Sequence, residues 1–417
     1  MSRDGDMSRR QNTCRVCGGK ELVPFLDLGL MPLVNRYLNP AAASQDEPRF
    51  PLEIHFCRSC SLSQLSVVVD PRILYSEYDY HSSVSKTFQH HCGEMAASLK
   101  RDLSLAAQDF VVEIASNDGC LASQFQNLGC KVLGVEPAVN LAKLANDAGI
   151  PTLHEFWSQA VADRIRKEQG PARLVVATNV LAHVDDLHGF IRAVASLIQS
   201  AGAFVFEVPY MVNFMNRAEF DTAYHEHLSY FLLRPLKRAL EENGLAVVNA
   251  QEFEIHGGSI RITALPAESG AAPSATVQRL LGWEEELGLH EEATYLRFAS
   301  HVATLKEELT TFVHSLKAQG KKLAAYGASA KGNVLLNYCG IGKEILDYVV
   351  DDTPAKQGKL YPGNHLPIVS RDRLAASPPN YLLLLAWNFV DEMVKNTAEY
   401  RAQGGRYIVP IPLLRVI

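Results

Sequence analysis

The chain has 417 residues, of which 47% are hydrophobic and 21% are charged. This composition excludes wholly disordered, collagen-like and low-complexity chains, and the length predicts about two to four domains. Acidic residues outnumber basic ones by 46 to 40, and the net charge of -6 excludes a general positive field for nucleic acid. Because no apolar run is long enough for a membrane span or a signal-peptide core, we expect a cytoplasmic protein without a membrane or nucleic-acid partner.

The first feature along the chain is a pair of CxxC motifs, Cys14-Arg-Val-Cys17 and Cys57-Arg-Ser-Cys60. Four thiolates complete a closed tetrahedral zinc site, whereas a redox pair and coincidence are the alternatives. Two such motifs near a Gly18-Gly19 pair are typical of a zinc ribbon. We predict a structural zinc that folds the module, whose core is too small to be stable alone. The remaining cysteines are expected to be core thiols: Cys92, Cys120, Cys130 and Cys339.

The next segment, LYSEYDYHSSVS, concentrates hydroxyl and imidazole groups. Such groups hydrogen-bond polyols and enolate oxygens. The alternative interpretation is a polar linker with aromatic anchors. The candidate substrate-contacting residues of this segment are Tyr78, Tyr80, His81, Ser82 and Ser83.

Residues 109–121 and 131–137 follow a βαβ pattern, in which each apolar strand leads to an acidic residue. This pattern is typical of a Rossmann-like unit, but the usual GxGxxG is absent. A carboxylate suits the sulfonium of S-adenosylmethionine better than it suits a pyrophosphate. The alternative is that the acids are surface residues, and that the aromatic residue after the third strand belongs to the core. The predicted cofactor-binding residues are Glu113, Ala115, Asn117, Asp118, Gly119, Glu136, Pro137, Phe156, Asn179 and His183.

Further strands over 174–178 and 203–208 extend a mostly parallel sheet, whose ligands bind at its carboxyl edge. Glu207 ends the second of these strands. The motif Tyr224-His225-Glu226-His227 follows, and it concentrates groups that move protons near neutral pH. A metal site and a surface loop are the alternatives. Ser259 and Arg261, in the glycine-containing HGGSIR, are candidate anion donors.

The C-terminal region begins with an Ala/Pro/Ser/Gly-rich linker over 263–276 and a predicted helical stretch over 277–319. A second βαβ pattern follows, in which GASAKG places Lys331 at the start of a helix. This turn suits the diphosphate of a nucleotide-sugar, or it is a tight turn without a ligand. A further strand is predicted over 381–389. The candidate substrate-binding residues of this region are Ser329, Lys331, Asn333, Trp387 and Asn388.

The ordered motifs CRVCG, FLDLG, CRSC, YDYHSSVS, EIASNDG, NVLAHV, FEVPY, YHEH, HGGSIR, YGASAKG and LAWNF resemble those of S-adenosylmethionine-dependent sugar C-methyltransferases. These enzymes methylate C-3 of nucleotide-linked 4-keto-6-deoxyhexoses in deoxysugar biosynthesis. The resemblance covers nearly the whole chain. It implies an α/β protein with a zinc-ribbon-like module over 1–75, a Rossmann-like class I methyltransferase domain over 76–265 and a second Rossmann-like α/β domain over 266–417, which helps to hold the nucleotide-sugar.

The resemblance also assigns roles within the motifs. His227 is implied to be the general base, with Glu226 beside it, and Tyr224 and either Tyr78 or Tyr80 are implied to position the substrate. Family members that act on 3-amino sugars can carry an acid at the position of His225, so this chain favours a 3-hydroxy sugar. The expected nucleotide is dTDP, with GDP as the alternative. The competing functions are an O- or N-methyltransferase acting on a polar metabolite and a non-catalytic binding protein.

Overall fold

A computed structural model describes residues 7–42, 47–75, 81–255 and 257–417. The N-terminal part forms two small antiparallel sheets and one short helix. Its elements are β1 (Ser8–Arg10), β2 (Leu22–Pro32), β3 (Arg49–Cys57), β4 (Ser63–Leu65), β5 (Val67–Val69) and α1 (Pro71–Tyr75). Strands β2, β3 and β4 pair in chain order, and β1 pairs with β5.

The central part is a seven-stranded sheet with helices on its faces. Its elements are α2 (Lys86–Asp102), β6 (Phe110–Ile114), α3 (Cys120–Asn127), β7 (Lys131–Val135), α4 (Val139–Asp147), β8 (Thr152–Leu153), α5 (Gln159–Gln169), β9 (Ala172–Thr178), α6 (Leu187–Leu197), β10 (Ile198–Pro209), α7 (Met211–Asn216), β11 (Ser229–Tyr230), α8 (Leu233–Glu241), β12 (Leu245–Phe253) and β13 (Ser259–Pro266). The strand order is β12-β13-β10-β9-β6-β7-β8, and the strands from β10 to β8 in this order are parallel.

The parallel strands are continuous apolar runs because helices cover both faces of the sheet. All five residues of β6 are buried. Strand β11 does not belong to this sheet and pairs with β4 of the N-terminal part. The segment just after the YHEH motif is therefore anchored to the cysteine-rich module.

The C-terminal part is a six-stranded sheet preceded by two helices. Its elements are α9 (Ala275–Glu286), α10 (Glu292–Ala318), β14 (Leu323–Tyr326), α11 (Ala330–Cys339), β15 (Val349–Val350), β16 (Ile368–Val369), α12 (Asp372–Ala376), β17 (Tyr381–Leu384), α13 (Val390–Asn396), α14 (Ala398–Ala402), β18 (Arg406–Val409) and β19 (Arg415–Val416). The strand order is β16-β15-β14-β17-β18-β19, and only β19 is antiparallel to its neighbour.

Three predicted elements differ in the structure. The helical stretch over 277–319 is two helices, because Gly288 has a φ of 64° and ends the first one with a turn. The start of the expected linker over 263–276 belongs to β13, where Ala264 is fully buried. The strand expected over 381–389 ends at Leu384, and a single 3-10 turn follows. No helix within the described ranges is long and apolar enough to cross a membrane.

Candidate active site

A cavity of about 1350 Å³ opens at the carboxyl edge of the seven-stranded sheet. All three parts of the chain contribute to its wall. Val69 comes from the N-terminal part, Glu136 and His227 come from the central part, and Ser329 and Asn388 come from the C-terminal part. The wall of the cavity is therefore shared by three structural units.

The four cysteines of the two CxxC motifs form one cluster, in which all four sulfur atoms lie within 4.8 Å of one another. The Sγ atoms of Cys14 and Cys60 are 3.4 Å apart, and those of Cys17 and Cys57 are 3.5 Å apart. The hydrogen bond with the Cys57 thiol, together with burial, raises the pKa of Cys14 to about 12, and hydrogen bonds with Cys14 and Cys57, together with burial, raise the pKa of Cys60. A cation removes this penalty on the thiolates, and the all-sulfur donor set fits zinc.

The two halves of this cluster have the same local structure. The carbonyl of Cys14 accepts the N–H of Gly18 and that of Cys57 accepts the N–H of Ser61, each at 2.9 Å. Gly18 and Ser61 both have a left-handed backbone, with φ near 65°. Each motif is thus a turn that brings its two thiols together, which explains why the CxxC spacing predicted the cluster.

Arg15, inside the first of these turns, reaches out of the module. Its NH1 group donates to the backbone carbonyls of Leu65 and Leu228, each at 3.2 Å, and its Nε donates to the Asp185 carboxylate at 3.2 Å. Leu228 directly follows His227. The cysteine cluster is therefore connected through one buried guanidinium to the YHEH segment.

The turn between β6 and α3 has the tight geometry of a ligand-binding turn. Ala115, Asn117 and Gly119 have φ values of 54°, 52° and 81°. A side chain at Gly134 of the neighbouring strand would collide with Ser116 Oγ and lie 2.8 Å from Thr152 Oγ1, so this approach requires glycine.

Two strand-end acids support this turn. Glu113 accepts the N–H of Ala122 at 2.8 Å, and Glu136 accepts the N–H of Asn117 and of Ala138, each at 2.8 Å. Burial raises the pKa of both carboxyl groups. Both acids line the cavity.

The described end of the segment rich in hydroxyl groups, residues 81–85, lies directly over the turn. The N–H of Ser82 donates to Asn117 Oδ1 and the N–H of Ser83 donates to Asp118 Oδ2, each at 3.0 Å. Ser82 lines the cavity and Ser83 is exposed. His81 precedes them, whereas Tyr78 and Tyr80 lie outside the described residues.

Other predicted cofactor residues also line the cavity. Phe156 is 47% exposed, which is unusual for a phenylalanine and suits a wall for a flat ring, and Pro137 is nearby on the wall. Asn179 has a left-handed φ of 56°. Its Oδ1 is inaccessible to solvent and has no hydrogen-bond partner among the described residues. A bound ligand would satisfy that oxygen, so this part of the wall fits S-adenosylmethionine.

His227 is held in one tautomer by the backbone. Its Nδ1 lies 2.8 Å from the carbonyl of Thr222, and because a carbonyl only accepts, Nδ1 carries the hydrogen and Nε2 keeps its lone pair. Burial lowers the pKa of His227 to about 4, so the ring is neutral at pH 7. The ring of Tyr224 lies 4.1 Å away and that of His183 lies 5.1 Å away, centroid to centroid.

His183, predicted to bind the cofactor, thus lies beside the implied base. Its Nδ1 is 2.8 Å from the hydroxyl of Tyr75, and burial lowers its pKa to about 3. Tyr75 lines the same cavity and was not among the predicted site residues. The dense hydroxyl groups of its segment were the available signal.

The middle of the YHEH motif faces the N-terminal module. Glu226 Oε1 accepts a hydrogen bond from Asn35 Nδ2 at 2.6 Å, and His225 Nε2 lies 3.3 Å from the carbonyl of Pro51. The ring of His225 packs edge-on against Phe50. The two histidines of the motif have different neighbours, and in the described part of the chain only the four cysteines lie close enough together to hold a metal ion.

The C-terminal part contributes Ser329 and Lys331, from the start of α11, and Asn388, from the 3-10 turn after β17, to the wall. The Ser329 side chain caps α11 by accepting the N–H of Gly332 at 3.1 Å. Lys331 Nζ lies 3.9 Å from Glu219 Oε2, so a carboxylate that was not predicted shares its surroundings.

Seven predicted substrate residues do not line this cavity: His81, Ser83 and five others whose polar groups are used inside the protein. Glu207 and Arg261 form a buried ion pair at 2.6 Å. Ser259 Oγ donates to the carbonyl of Ile255, and Asn333 Nδ2 donates to that of Pro362. Trp387 Nε1 donates to Asp221 Oδ2 at 2.7 Å, so this side chain joins the C-terminal part to the YHEH region instead of facing the cleft.

Comparisons with known proteins agree with this architecture. Family profiles match a zinc binding domain at residues 14–75, a methyltransferase domain at 88–250 and a C-methyltransferase C-terminal domain at 254–412. The chain is 37% identical to the C-methyltransferase NovU from Streptomyces niveus over 412 residues, which is 99% of this chain and 98% of that protein.

Two more distant similarities cover parts of the chain. A ubiquinone biosynthesis O-methyltransferase from Methylobacterium is 25% identical over 165 residues, which is 35% of this chain and 63% of that protein. The crystal structure of magnesium protoporphyrin IX methyltransferase from Synechocystis, with bound SAM, is 15% identical over 43% of this chain and 79% of its own, with a TM-score of 0.33. The full-length match and the three domain matches show that the chain belongs to the S-adenosylmethionine-dependent C-methyltransferases that carry an N-terminal zinc-binding domain.

Proposed function

We propose that the protein methylates C-3 of a nucleotide-diphosphate-linked 4-keto-6-deoxy sugar. The observation that carries the proposal is His227, a neutral imidazole whose Nδ1 proton is held by a backbone carbonyl and whose ring lines the same cavity as the cofactor turn. A carbon next to a ketone has a weakly acidic proton, so methylating it requires a base of this kind.

The cavity supports two ligands bound side by side. Its volume of about 1350 Å³ exceeds the range of roughly 300–1,000 Å³ that is usual for one small-molecule site. Its wall extends from Glu136 to Ser329, so a nucleotide-sugar has room to extend towards the C-terminal part. The nucleotide that we expect is dTDP, with GDP as the alternative to test.

The chain's own residues perform the proton transfer. Nε2 of His227 takes the C-3 proton, the electron pair of the C–H bond becomes the C-3–C-4 double bond, and the carbonyl electron pair moves to the C-4 oxygen. We assign the orientation of the sugar to Tyr224, whose ring packs on His227. Holding both reactants in one cavity supplies a further part of the rate.

We assign the cofactor to Glu113, Asn117, Glu136, Phe156 and Asn179, which line the wall around the first turn. S-adenosylmethionine supplies the methyl group: as the bond from C-3 to the methyl carbon forms, the bond from that carbon to sulfur breaks and its electron pair stays on sulfur. The zinc that we assign to the four cysteines has no open position, so its contribution is structural.

The test is to incubate the purified protein with S-adenosylmethionine and a panel of dTDP- and GDP-linked 4-keto-6-deoxyhexoses, and to analyse the products by mass spectrometry and NMR. We expect one added methyl group and loss of the C-3 proton signal. The variant His227→Ala should lose about 10²–10⁴-fold in turnover while keeping cofactor affinity. The exposed His301→Ala on α10 is the matched control. A methyl group on oxygen or nitrogen, or no product from the panel, would refute the proposal.

A further inference from the structure

A buried cation faces the cavity near the YHEH segment, and the C–H chemistry above does not use it. Nζ of Lys331 is inaccessible to solvent and has no hydrogen-bond partner among the described residues. It lies 3.9 Å from Glu219 Oε2 and 5.1 Å from the centre of the Trp387 ring. Glu219 Oε1 is also buried without a partner in the described part of the chain. Both Lys331 and Glu219 line the cavity.

The same turn that carries Glu219 also holds the base. Thr222 Oγ1 donates to the carbonyl of Glu219 at 2.7 Å, and the carbonyl of Thr222 accepts the proton on Nδ1 of His227 at 2.8 Å. Burial is the main cause that lowers the pKa of His227, and the positive charge of Lys331 adds to it. Lys331 therefore acts on the surroundings of the base.

The Trp387 side chain fixes the cation relative to this turn. Its indole N–H donates to Asp221 at 2.7 Å, and its ring contacts the ammonium of Lys331. Trp387 and Lys331 belong to the C-terminal part, whereas Asp221 lies one residue before Thr222. The C-terminal part thus holds the ammonium of Lys331 at a defined position beside the segment that carries His227.

The charges around Lys331 favour a particular ligand group. Two carboxyl groups, Glu219 and Asp221, are buried beside one ammonium, and burial raises the pKa of Glu219 to about 7. A diphosphate here would add two negative charges to a site that already holds acids. A ketone oxygen is neutral when it binds and gains a single negative charge only as the enolate forms, so it suits a cation that is already partly compensated.

The other arginine and lysine side chains of the described wall are placed differently. Arg9 and Arg192 are both exposed, and Arg9 is paired with Asp185. Solvent screening weakens such charges, whereas an ammonium without water contact acts at closer to its full strength.

We propose that the Lys331 ammonium donates a hydrogen bond to the C-4 oxygen of the sugar and stabilises the enolate, which makes Lys331 a catalytic residue of the proposed C-3 methylation. This inference rests on the proposed function. When His227 Nε2 removes the C-3 proton, the carbonyl electron pair moves to the C-4 oxygen, where the ammonium compensates the charge. The pair returns to the carbonyl as the C-3–methyl bond forms, and Lys331 remains protonated throughout.

The test separates enolate formation from methyl transfer. The protein is incubated in D₂O with the 4-keto sugar-nucleotide and S-adenosylhomocysteine, and NMR measures deuterium incorporation at C-3. We expect Lys331→Met to reduce both this exchange and methyl transfer by at least about 100-fold. Its dissociation constants for S-adenosylmethionine and for free dTDP should change less than threefold. Lys356→Met is the matched control, because Lys356 Nζ donates to the carbonyl of Ala328 and does not line the cavity.

The outcomes are distinguishable. Normal exchange by Lys331→Met, or a loss of dTDP affinity as large as the loss of turnover, would overturn the inference and assign Lys331 to substrate binding. A wild-type protein that neither exchanges nor methylates any sugar of the panel would overturn the proposed function instead. If Lys331→Met does not fold, Lys331→Gln retains an N–H donor without the charge, and we expect it to lose exchange and methyl transfer about tenfold each. Full activity of Lys331→Gln would overturn the inference.

Discussion

The two mostly parallel sheets hold their first turns in the same way, with an acid at the end of the neighbouring strand, but only the acid of the seven-stranded sheet lines the cavity. In the seven-stranded sheet, Glu136 follows the strand next to the turn and accepts two N–H groups. One belongs to Asn117 in the turn and the other to Ala138, two residues further along.

In the six-stranded sheet, Asp351 occupies the equivalent position. It accepts the N–H of Ala328 in the turn at 2.7 Å and that of Thr353, two residues further along, at 2.9 Å. The shorter side chain makes the same pair of contacts. The topology of a βαβ unit, rather than a shared ligand, therefore accounts for the acid.

The surroundings of the two turns differ. The backbone carbonyl of Ala328 accepts hydrogen bonds from the Tyr37 hydroxyl at 2.7 Å and from Lys356 Nζ at 2.8 Å, and the carbonyl of Ser329 accepts one from the Tyr361 hydroxyl. Tyr37 belongs to the N-terminal part. The second turn thus docks another part of the chain, whereas the first presents its acid to an open cavity. A strand-end acid is by itself insufficient to identify a cofactor site.

The largest expected effect comes from removing the two acids separately. Glu136→Ala leaves the N–H of Asn117 in the first turn and the N–H of Ala138 without their acceptor, at a cost of about 1–3 kcal/mol for each buried group. We expect its dissociation constant for S-adenosylmethionine, measured by isothermal titration calorimetry, to rise at least 100-fold. Asp351→Ala should change that constant less than threefold while it lowers stability. Equal effects of the two variants on cofactor affinity would contradict the distinction.

A second prediction concerns the pH dependence of stability, because the buried histidine His227 lines the cavity next to the first turn. Burial lowers the pKa of His227 to about 4, below its unfolded value of about 6.5. Below pH 6.5 the unfolded chain therefore binds a proton that the folded chain does not, and stability falls as the pH falls towards 4. His227→Gln should lose less unfolding free energy than the wild type between pH 7.5 and 5, by about 1–2 kcal/mol in denaturant titrations. His301→Gln should behave like the wild type, and a response of His227→Gln equal to that of this control would show that His227 titrates normally.

The smallest expected effect comes from a change at the turn of the six-stranded sheet, which contacts Tyr37 of the N-terminal part. Tyr37→Phe removes one hydrogen bond to the carbonyl of Ala328, and we expect the free energy of unfolding to fall by about 0.5–1.5 kcal/mol. Cofactor affinity should remain within twofold of the wild type, as measured by the same calorimetry. Weaker cofactor binding in this variant would show that the two turns are coupled.

The local patterns of the sequence predicted much of the fold. The strands Phe110–Ile114 and Lys131–Val135 are apolar runs that end at acids, and the CxxC turns need only short-range geometry. The break between α9 and α10 was missed because the apolar periodicity continues on both sides of Gly288, and a single glycine inside a helical pattern is often tolerated.

The site was predicted less completely, because contacts between distant segments leave no local signal. Glu207 was predicted from its position at the end of a strand, but β10 and β13 pair so that it lies directly opposite Arg261. That register, which the sequence does not reveal, turns both charges towards each other. Similarly, nothing in the local sequence places His183 against His227, or Glu219 beside Lys331.

The Arg15 side chain has a consequence for recombining such enzymes. Its guanidinium extends from the first cysteine turn to Asp185 and to the carbonyl of Leu228, next to the implied base. A chimaera that takes its cysteine-rich module from one homologue and its catalytic segment from another keeps the side-chain part of this contact only if one parent supplies the arginine at 15 and the other supplies the acid at 185. The unit to exchange is therefore the module together with the loop at 185 and the strand β11, rather than the first 75 residues alone.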